Sequence, residues 1–267
     1  MMAELDAGEV ELLAATLRKT MSGIRGRELD AALTDLGWPE LLADAPDLAV
    51  PMVFRLLGET GSHAAVLDDV VRQAVPLAED VPVPLPFAGG AWALWDRDGE
   101  SGGSVDEELP LRTIASGTDL PDAALAAGRR ALGWWLLGTG HAMLALARRH
   151  VLERKQFDRP LASFQAVRHR LAETLVALEG AEATLNTSDG DLGALLAKAA
   201  AGQAALTTAR HCQQVLGGIG FTAEHALHRH VRRTLVLDGL LGSTRELTRQ
   251  AGAHLRTTNT APRLAQL

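Results

Sequence analysis

From residue 119 almost to the end of the chain, apolar side chains recur at steps of three and four with few interruptions. That period fits one face of an α-helix and no strand. Asp119 or Asp122 is placed to cap a long helix running to about Glu153. A second helix is expected from near Ser163, with Phe164, Val167, Leu171, Leu175 and Leu178 on one side. Asp189-Gly190-Asp191 divides it from a third, which carries Leu192, Leu195, Leu196, Ala199 and Leu206 and stops at Gly217 and Gly218. Two more follow, over 224–237 and 244–255. The expected fold is mainly α, with a C-terminal up-and-down bundle of four or five helices over 119–267. Composition agrees: the 47% of hydrophobic residues is almost all Ala, Leu and Val, with 5 Phe, 5 Trp and no Tyr. Residues 131–147 hold no charge, but at 17 residues, with three glycines and a histidine, they read as a buried core helix. A membrane span needs about 20 mostly apolar residues.

The first 75 residues read as an N-terminal helical domain broken by Gly and Pro. One helix carries Val10, Leu13 and Leu17, a second covers 28–36 and ends at Gly37-Trp38-Pro39, and Pro51 is placed to start another. At Pro76 the character changes. The run Val81-Pro82-Val83-Pro84-Leu85-Pro86-Phe87 is an extended or edge segment, because proline cannot donate to a sheet ladder. Residues 91–95 and 109–114 suit two short strands on either side of a polar turn at 96–104. Residues 76–118 thus form a strongly reduced middle β element.

The balance of 26 basic against 33 acidic residues, net charge −7, argues against nucleic acid as a partner. Only Lys19, Lys155 and Lys198 are lysines, so the basic residues are overwhelmingly arginine, whose planar fork suits phosphates. The single cysteine, Cys212, allows no intrachain disulfide and no Cys-Cys metal spacing, as expected of a reducing cytoplasm. The acidic N-terminal stretch is unlike a secretory or transit leader. No membrane partner is expected.

Two segments carry chemistry. Arg154-Lys155-Gln156-Phe157 offers a guanidinium fork for a diphosphate beside an amide. Gln214-Val215-Leu216-Gly217-Gly218-Ile219-Gly220-Phe221 offers a second amide and two glycines where a backbone can approach a phosphate with no Cβ in the way. On spacing alone the favoured reading is that Gly217 and Gly218 are a helix C-cap followed by a turn, and Phe157 or Phe221 core. The first segment, with Pro160, Phe164-Gln165, Val167 and Leu171-Ala172 after it, resembles the Arg-x-Gln-Phe-Gly…Pro…Phe-Gln…Leu-Ala segment of the acyl-CoA dehydrogenase family. The second resembles that family's Gln-x-x-Gly-Gly-x-Gly-aromatic segment, with Arg232 at the Arg of an Arg-Asp pair. Leu36-Gly37-Trp38 and 57–61 echo its N-terminal helical domain. The resemblance implies that Arg154, Gln156, Phe157, Gln214, Gly217 and Gly218 contact the adenosine and pyrophosphate half of FAD, reaching across to a flavin held mainly by a neighbouring subunit.

Departures from the family pattern matter as much. Counted without a gap from Gly220, the family's Tyr-Glu-Gly-Thr segment falls on Leu240-Leu241-Gly242-Ser243, so Leu241 stands where the proton-abstracting glutamate belongs. The other position that family members use for the base falls on Ala127, Gly128 and Arg129, again without a carboxylate. Asp238 and Glu246 lie off the aligned position and read as helix-end charges. Residues 76–118 are too few for the family's flavin-binding β-domain. Asp158 replaces a glycine, and Arg233 an aspartate.

The expectation is therefore a short, base-lacking subunit of a heteromeric α2β2 acyl-CoA dehydrogenase of the actinobacterial steroid-degradation type. It would share FAD with a longer subunit that carries the catalytic Glu, and act on an acyl-CoA such as a steroid-derived thioester. The competing reading is a degenerate paralogue that scaffolds a complex and binds no flavin. A metal site at His211, His225, His228 and His230 lacks a carboxylate and a common helix face, so no metal is expected. Cys212 in an apolar helix reads as a small hydrophobe.

Overall fold

The structure, a computed structural model, describes residues 6–74, 83–96 and 106–260. The Pro76 boundary, the start of the proline-rich run and most of the polar turn lie outside those residues. Helix α1 spans Ala7–Gly23 and is opened by a capping box between Asp6 and Glu9. It is followed by α2 (Arg27–Asp35), α3 (Trp38–Asp44), α4 (Pro46–Thr60) and α5 (Val66–Gln73). The second helix ends before Gly37 as expected: Gly37, at φ 82°, reverses the chain, and Trp38-Pro39 opens α3. One expectation is corrected here. Pro51 lies inside α4, and Pro46 takes the first-turn position where a missing N–H costs nothing.

Strands β1 (Leu85–Phe87), β2 (Ala91–Trp95) and β3 (Leu111–Ile114) form a small antiparallel sheet in sequential order, with Leu85 opposite Ala93 and Trp92 opposite Ile114. Pro86 is tolerated because β1 is an edge strand. The rest is helical: α6 (Asp122–Glu153), the two-residue strands β4 (Lys155–Gln156) and β5 (Arg159–Pro160), α7 (Gln165–Thr187), α8 (Gly190–Leu216), a 3₁₀ turn (Gly217–Phe221), α9 (Leu227–Gly239) and α10 (Thr244–Thr258). Pro121, not either aspartate, occupies the N-cap of α6, without a side-chain cap. Helix α9 starts at Leu227, three residues later than its spacing suggests.

The main core joins Phe54 and Leu57 of α4, Leu67 and Val71 of α5, Leu132, Trp135 and Leu136 of α6, Leu178 of α7, and Leu237 of α9. Helix α6 is its axis. Gly133 abuts Leu185 and Gly140 abuts Leu178, so α6 and α7 run antiparallel. Helix α4 crosses α6 backbone to backbone at Gly58 and Gly138: a Cβ on Gly138 would strike the carbonyl of Arg55. The uncharged stretch 131–147 is thus a core helix. Among the described residues, no helix is long and apolar enough to cross a membrane.

Candidate functional site

At the C-terminal end of α6 the backbone of Arg154 still donates to His150 O, and Leu161 N donates to Arg154 O at 2.9 Å, closing a hairpin of β4 and β5. Its two central residues, Phe157 and Asp158, are both left-handed, at φ 52° and 62°, the pattern of a tight turn whose twist matches the strands. Aspartate tolerates this region. Phenylalanine does so at a cost of about 1–2 kcal/mol. The turn holds Phe157 85% exposed, its ring centre 6.3 Å from that of Phe164 in an edge-to-face arrangement, while the Arg159 guanidinium lies 4.2 Å from the centre of the Phe164 ring. Arg154, Lys155 and Gln156 are exposed.

Helix α8 ends at Leu216, and Gly217, at φ 67° and ψ −143°, a backbone conformation open essentially to glycine alone, caps it by donating to the carbonyls of Gln213 and Gln214. Gly220 packs so close to Gln213 O and Leu216 that a Cβ would meet them at 2.7 and 2.9 Å. Gly217 and Gly218, by contrast, have nothing within 4 Å of a would-be Cβ. Gln214 beside them is exposed, as is Phe221. Neither Phe157 nor Phe221 is core.

The two segments, about 60 residues apart in the chain, lie at one end of the bundle. Beneath them Met143 and Ala147 of α6 pack with Ala209, Cys212 and Leu216 of α8 and Leu227 of α9 in one apolar cluster, and the His150 ring sits 6.3 Å from that of His225. Among the described residues, Arg154, Gln156 and Gln214 make no side-chain hydrogen bond or ion pair within the chain. Exposed cations crowd this end, Arg148, Arg149, Lys155, Arg159 and Arg210 besides Arg154, on a chain of net charge −7. Unspent guanidinium and amide donors, a presented aromatic ring and bare glycine backbone fit an anionic ligand with a flat ring system, the chemistry of a dinucleotide pyrophosphate.

Leu241, the residue expected at the base position, has the opposite character. Leu241 is 1% exposed. Its side chain packs on Gly128, where a Cβ would come within 2.5 Å of Leu241 Cδ1 and 3.1 Å of Val71 Cγ2. The two segments expected to correspond to the family's base positions therefore meet in space at Gly128 and Leu241, and here they fill each other. The backbone is fixed as well. Leu241 N donates to Pro86 O at 2.7 Å, Arg129 Nε donates to Leu241 O at 3.1 Å, and Phe87 bridges to Leu240. Asp238 and Glu246 are not idle helix-end charges: Asp238 Oδ1 accepts from Thr244 N and Oγ1, and Glu246 accepts from Ser243 N and, at 2.9 Å, from Gly89 N. These bonds to Gly89 and Ser243 hold the Glu246 carboxyl below the usual carboxylate range.

The histidines do not converge. His211 lies between Thr174 Oγ1 at 2.9 Å and Arg170, His228 Nδ1 is 2.8 Å from His225 O, and His230 faces Gly61. Among the described residues no three metal-ligating side chains cluster. Cys212 is buried, and that burial pushes its thiol up to about 12. Sequence reasoning missed one network: buried Arg233 pairs with Asp106 and Glu108 and donates to Ser62 O at 2.9 Å, while Arg229 makes a two-pronged bond to Glu108 at 2.6 and 2.9 Å. Burial beside Arg233 drives His63 down to about 3 and His230 to about 4. The signal was present in the acidic triplet 106–108 and in Arg233 standing where an aspartate was expected.

Residues 115–255 match the family model described as acyl-CoA dehydrogenase, C-terminal domain. The chain is 34% identical over 145 residues to the acyl-CoA dehydrogenase FadE34 of Mycobacterium tuberculosis, a match covering 51% of this chain and 19% of that protein. It is 34% identical over 117 residues to the acyl-CoA dehydrogenase IpdE2 of the same organism, covering 43% and 37%. The matches thus span well under half of these relatives' own length. In fold, it superposes on a chain of the ChsE4-ChsE5 complex from M. tuberculosis with a TM-score of 0.66 at 17% identity, covering 98% of this chain and 100% of that one.

Proposed function

Since the chain belongs to the acyl-CoA dehydrogenase family, we propose that it is the base-lacking subunit of a heteromeric, FAD-dependent acyl-CoA dehydrogenase. The observation that carries this is a division of character within the one molecule: the flavin-type motifs come together with their donors unspent, while the base position is closed with leucine. In this reading Arg154 holds the pyrophosphate with its fork, Gln156 and Gln214 hydrogen-bond the adenosine half, Gly217 and Gly218 admit the phosphates to the backbone, and Phe157 covers a flat face. FAD would be shared with a longer subunit. FAD, when bound, would supply the hydride acceptor for the β-carbon of an acyl-CoA, and that subunit's glutamate would supply the base for the α-proton, which together would give a 2-enoyl thioester. Leu241 cannot take part, because a hydrocarbon accepts no proton.

A fold shared with a ChsE4-ChsE5 chain and sequence similarity to FadE34 and IpdE2 support a partner of the same family. A bulky, steroid-derived thioester is the substrate class proposed. Co-expression with a neighbouring long acyl-CoA dehydrogenase gene is expected to give a yellow, active complex, and this chain alone to be flavin-poor. In the complex, Arg154→Ala is expected to lower the flavin retained after gel filtration, while Leu241→Gln leaves turnover nearly intact. An active, flavin-replete homo-oligomer of this chain would refute the heteromer. Undiminished flavin in the Arg154→Ala complex would favour a scaffold without flavin contacts.

A further inference from the structure

Lys198 is one of three lysines in the chain and the only one of the three that is buried. It lies in the middle of α8, fully shielded from solvent. Its Nζ donates to the carbonyls of Asp238 and Gly242, at 2.9 and 2.6 Å. The first acceptor lies in the last turn of α9 and the second in the loop that leaves α9 and carries Leu241. The loop lies close on α8 because residue 202 is glycine: a Cβ there would meet Asp238 Oδ1 at 2.5 Å and crowd Thr244 Oγ1.

The charged groups around Lys198 come from three other elements. The Asp238 carboxylate at the end of α9 is turned away and accepts from Thr244 N and Oγ1. Glu246 of α10 is engaged by Ser243 and Gly89. Arg129 of α6 is a like charge, itself bonded to Leu241 O. Among the described residues no carboxylate stands within ion-pair distance of Nζ. A neutral amine has two N–H donors and here meets two carbonyls. An ammonium has a third donor with no acceptor, and a buried charge without a counter-ion.

We propose that Lys198 is a proton-sensitive latch: the neutral amine ties the 238–242 loop to α8 and keeps Leu241 seated on Gly128, and protonation releases the loop. This does not rest on the flavin reading. Burial, opposed by Asp238 and reinforced by Arg129, brings the amine down to about 7, so the latch works across the neutral range. Release would break the Leu241 N to Pro86 O bond and uncover the apolar seat formed by Gly128 and Val71.

The small number of lysines makes the test direct. The chain is labelled with ¹³Cε-lysine, in the partner complex if it is obtained that way, and titrated by NMR from pH 5 to 11. One of three signals is expected to move near neutrality and to vanish in Lys198→Met, or in Lys198→Arg should the Met variant not fold. The other two, from exposed Lys19 and Lys155, are expected near 10.4. In the same protein, amide exchange at Leu241, corrected for the intrinsic rate, is expected to lose about tenfold of protection per pH unit below that midpoint, as linkage to one proton requires. All three lysines titrating near 10, or Leu241 protection that ignores the midpoint, would overturn the proposal.

Discussion

The contact between Gly128 and Leu241 makes a quantitative demand. A methyl added at Gly128 would lie 2.5 Å from Leu241 Cδ1 and 3.1 Å from Val71 Cγ2, and Leu241 is too buried to swing aside freely. Overpacking of this kind costs about 1–3 kcal/mol. Against it stands about 1 kcal/mol of helix propensity gained when alanine replaces glycine inside α6. Gly128→Ala alone is therefore expected to be destabilising by about 0–2 kcal/mol. Leu241→Ala alone opens a cavity and is expected to cost about 2–5 kcal/mol. Combined, the new methyl enters the void, the clash with Leu241 vanishes and only the 3.1 Å approach to Val71 remains against the propensity gain, so Gly128→Ala should stabilise the Leu241→Ala background by up to about 1 kcal/mol. The change of sign is the signature. Urea unfolding followed by tryptophan fluorescence measures all four corners of the cycle. If Gly128→Ala has the same effect in both backgrounds to within about 0.5 kcal/mol, the two residues do not share a seat, and the sealed base position is wrong.

Two further outcomes follow from the same structure. Gly138→Ala is expected to cost at least about 3 kcal/mol, because its Cβ would meet the α4 backbone at Arg55 and not a movable side-chain tip. Gly180→Ala, with nothing within 4 Å, should be neutral or stabilising, and equal effects in thermal unfolding would refute the close crossing. His63, held down to about 3, and His230, held to about 4, stay neutral in the folded chain while the unfolded chain takes up protons below about 6.5. Their contribution is thus fully present above pH 6.5 and is lost as pH falls, by about 1.4 kcal/mol per unit for each. His63→Gln is expected to remove one proton's worth of that slope between pH 4 and 6. An unchanged slope would mean that His63 titrates normally.

Much of this molecule was legible in its sequence, because helical periodicity is a local property. The bundle, the buried 131–147 stretch, the dividing Asp189-Gly190-Asp191 and the minimal sheet follow from which residues repeat and which break the repeat. The misreadings were also local. Pro51 looks like a helix start until Pro46, five residues earlier, is seen to occupy that role, and Asp119 or Asp122 looks like the cap of α6 until Pro121 is seen to take that position. For the site, the resemblance to a family pattern, and not spacing alone, groups Arg154, Gln156, Phe157, Gln214, Gly217 and Gly218 as one proposed set, and the leucine at 241 is visible as a letter.

The tertiary structure alone decided where those letters go. That Arg154 and Gly217 share one end of the bundle depends on α6 and α8 packing side by side, an arrangement of whole helices that no local spacing encodes. That Gly128 and Leu241 meet, and that leucine on glycine closes the seat, depends on the crossing of α6 with the loop after α9. A lysine in an alanine-rich helix is unremarkable as a letter. It becomes a buried amine only because Gly202 lets the loop close over it. Sequence fixes which groups a chain possesses. Their solvent exposure and their partners, and hence their charge and their chemistry, are set by long-range packing.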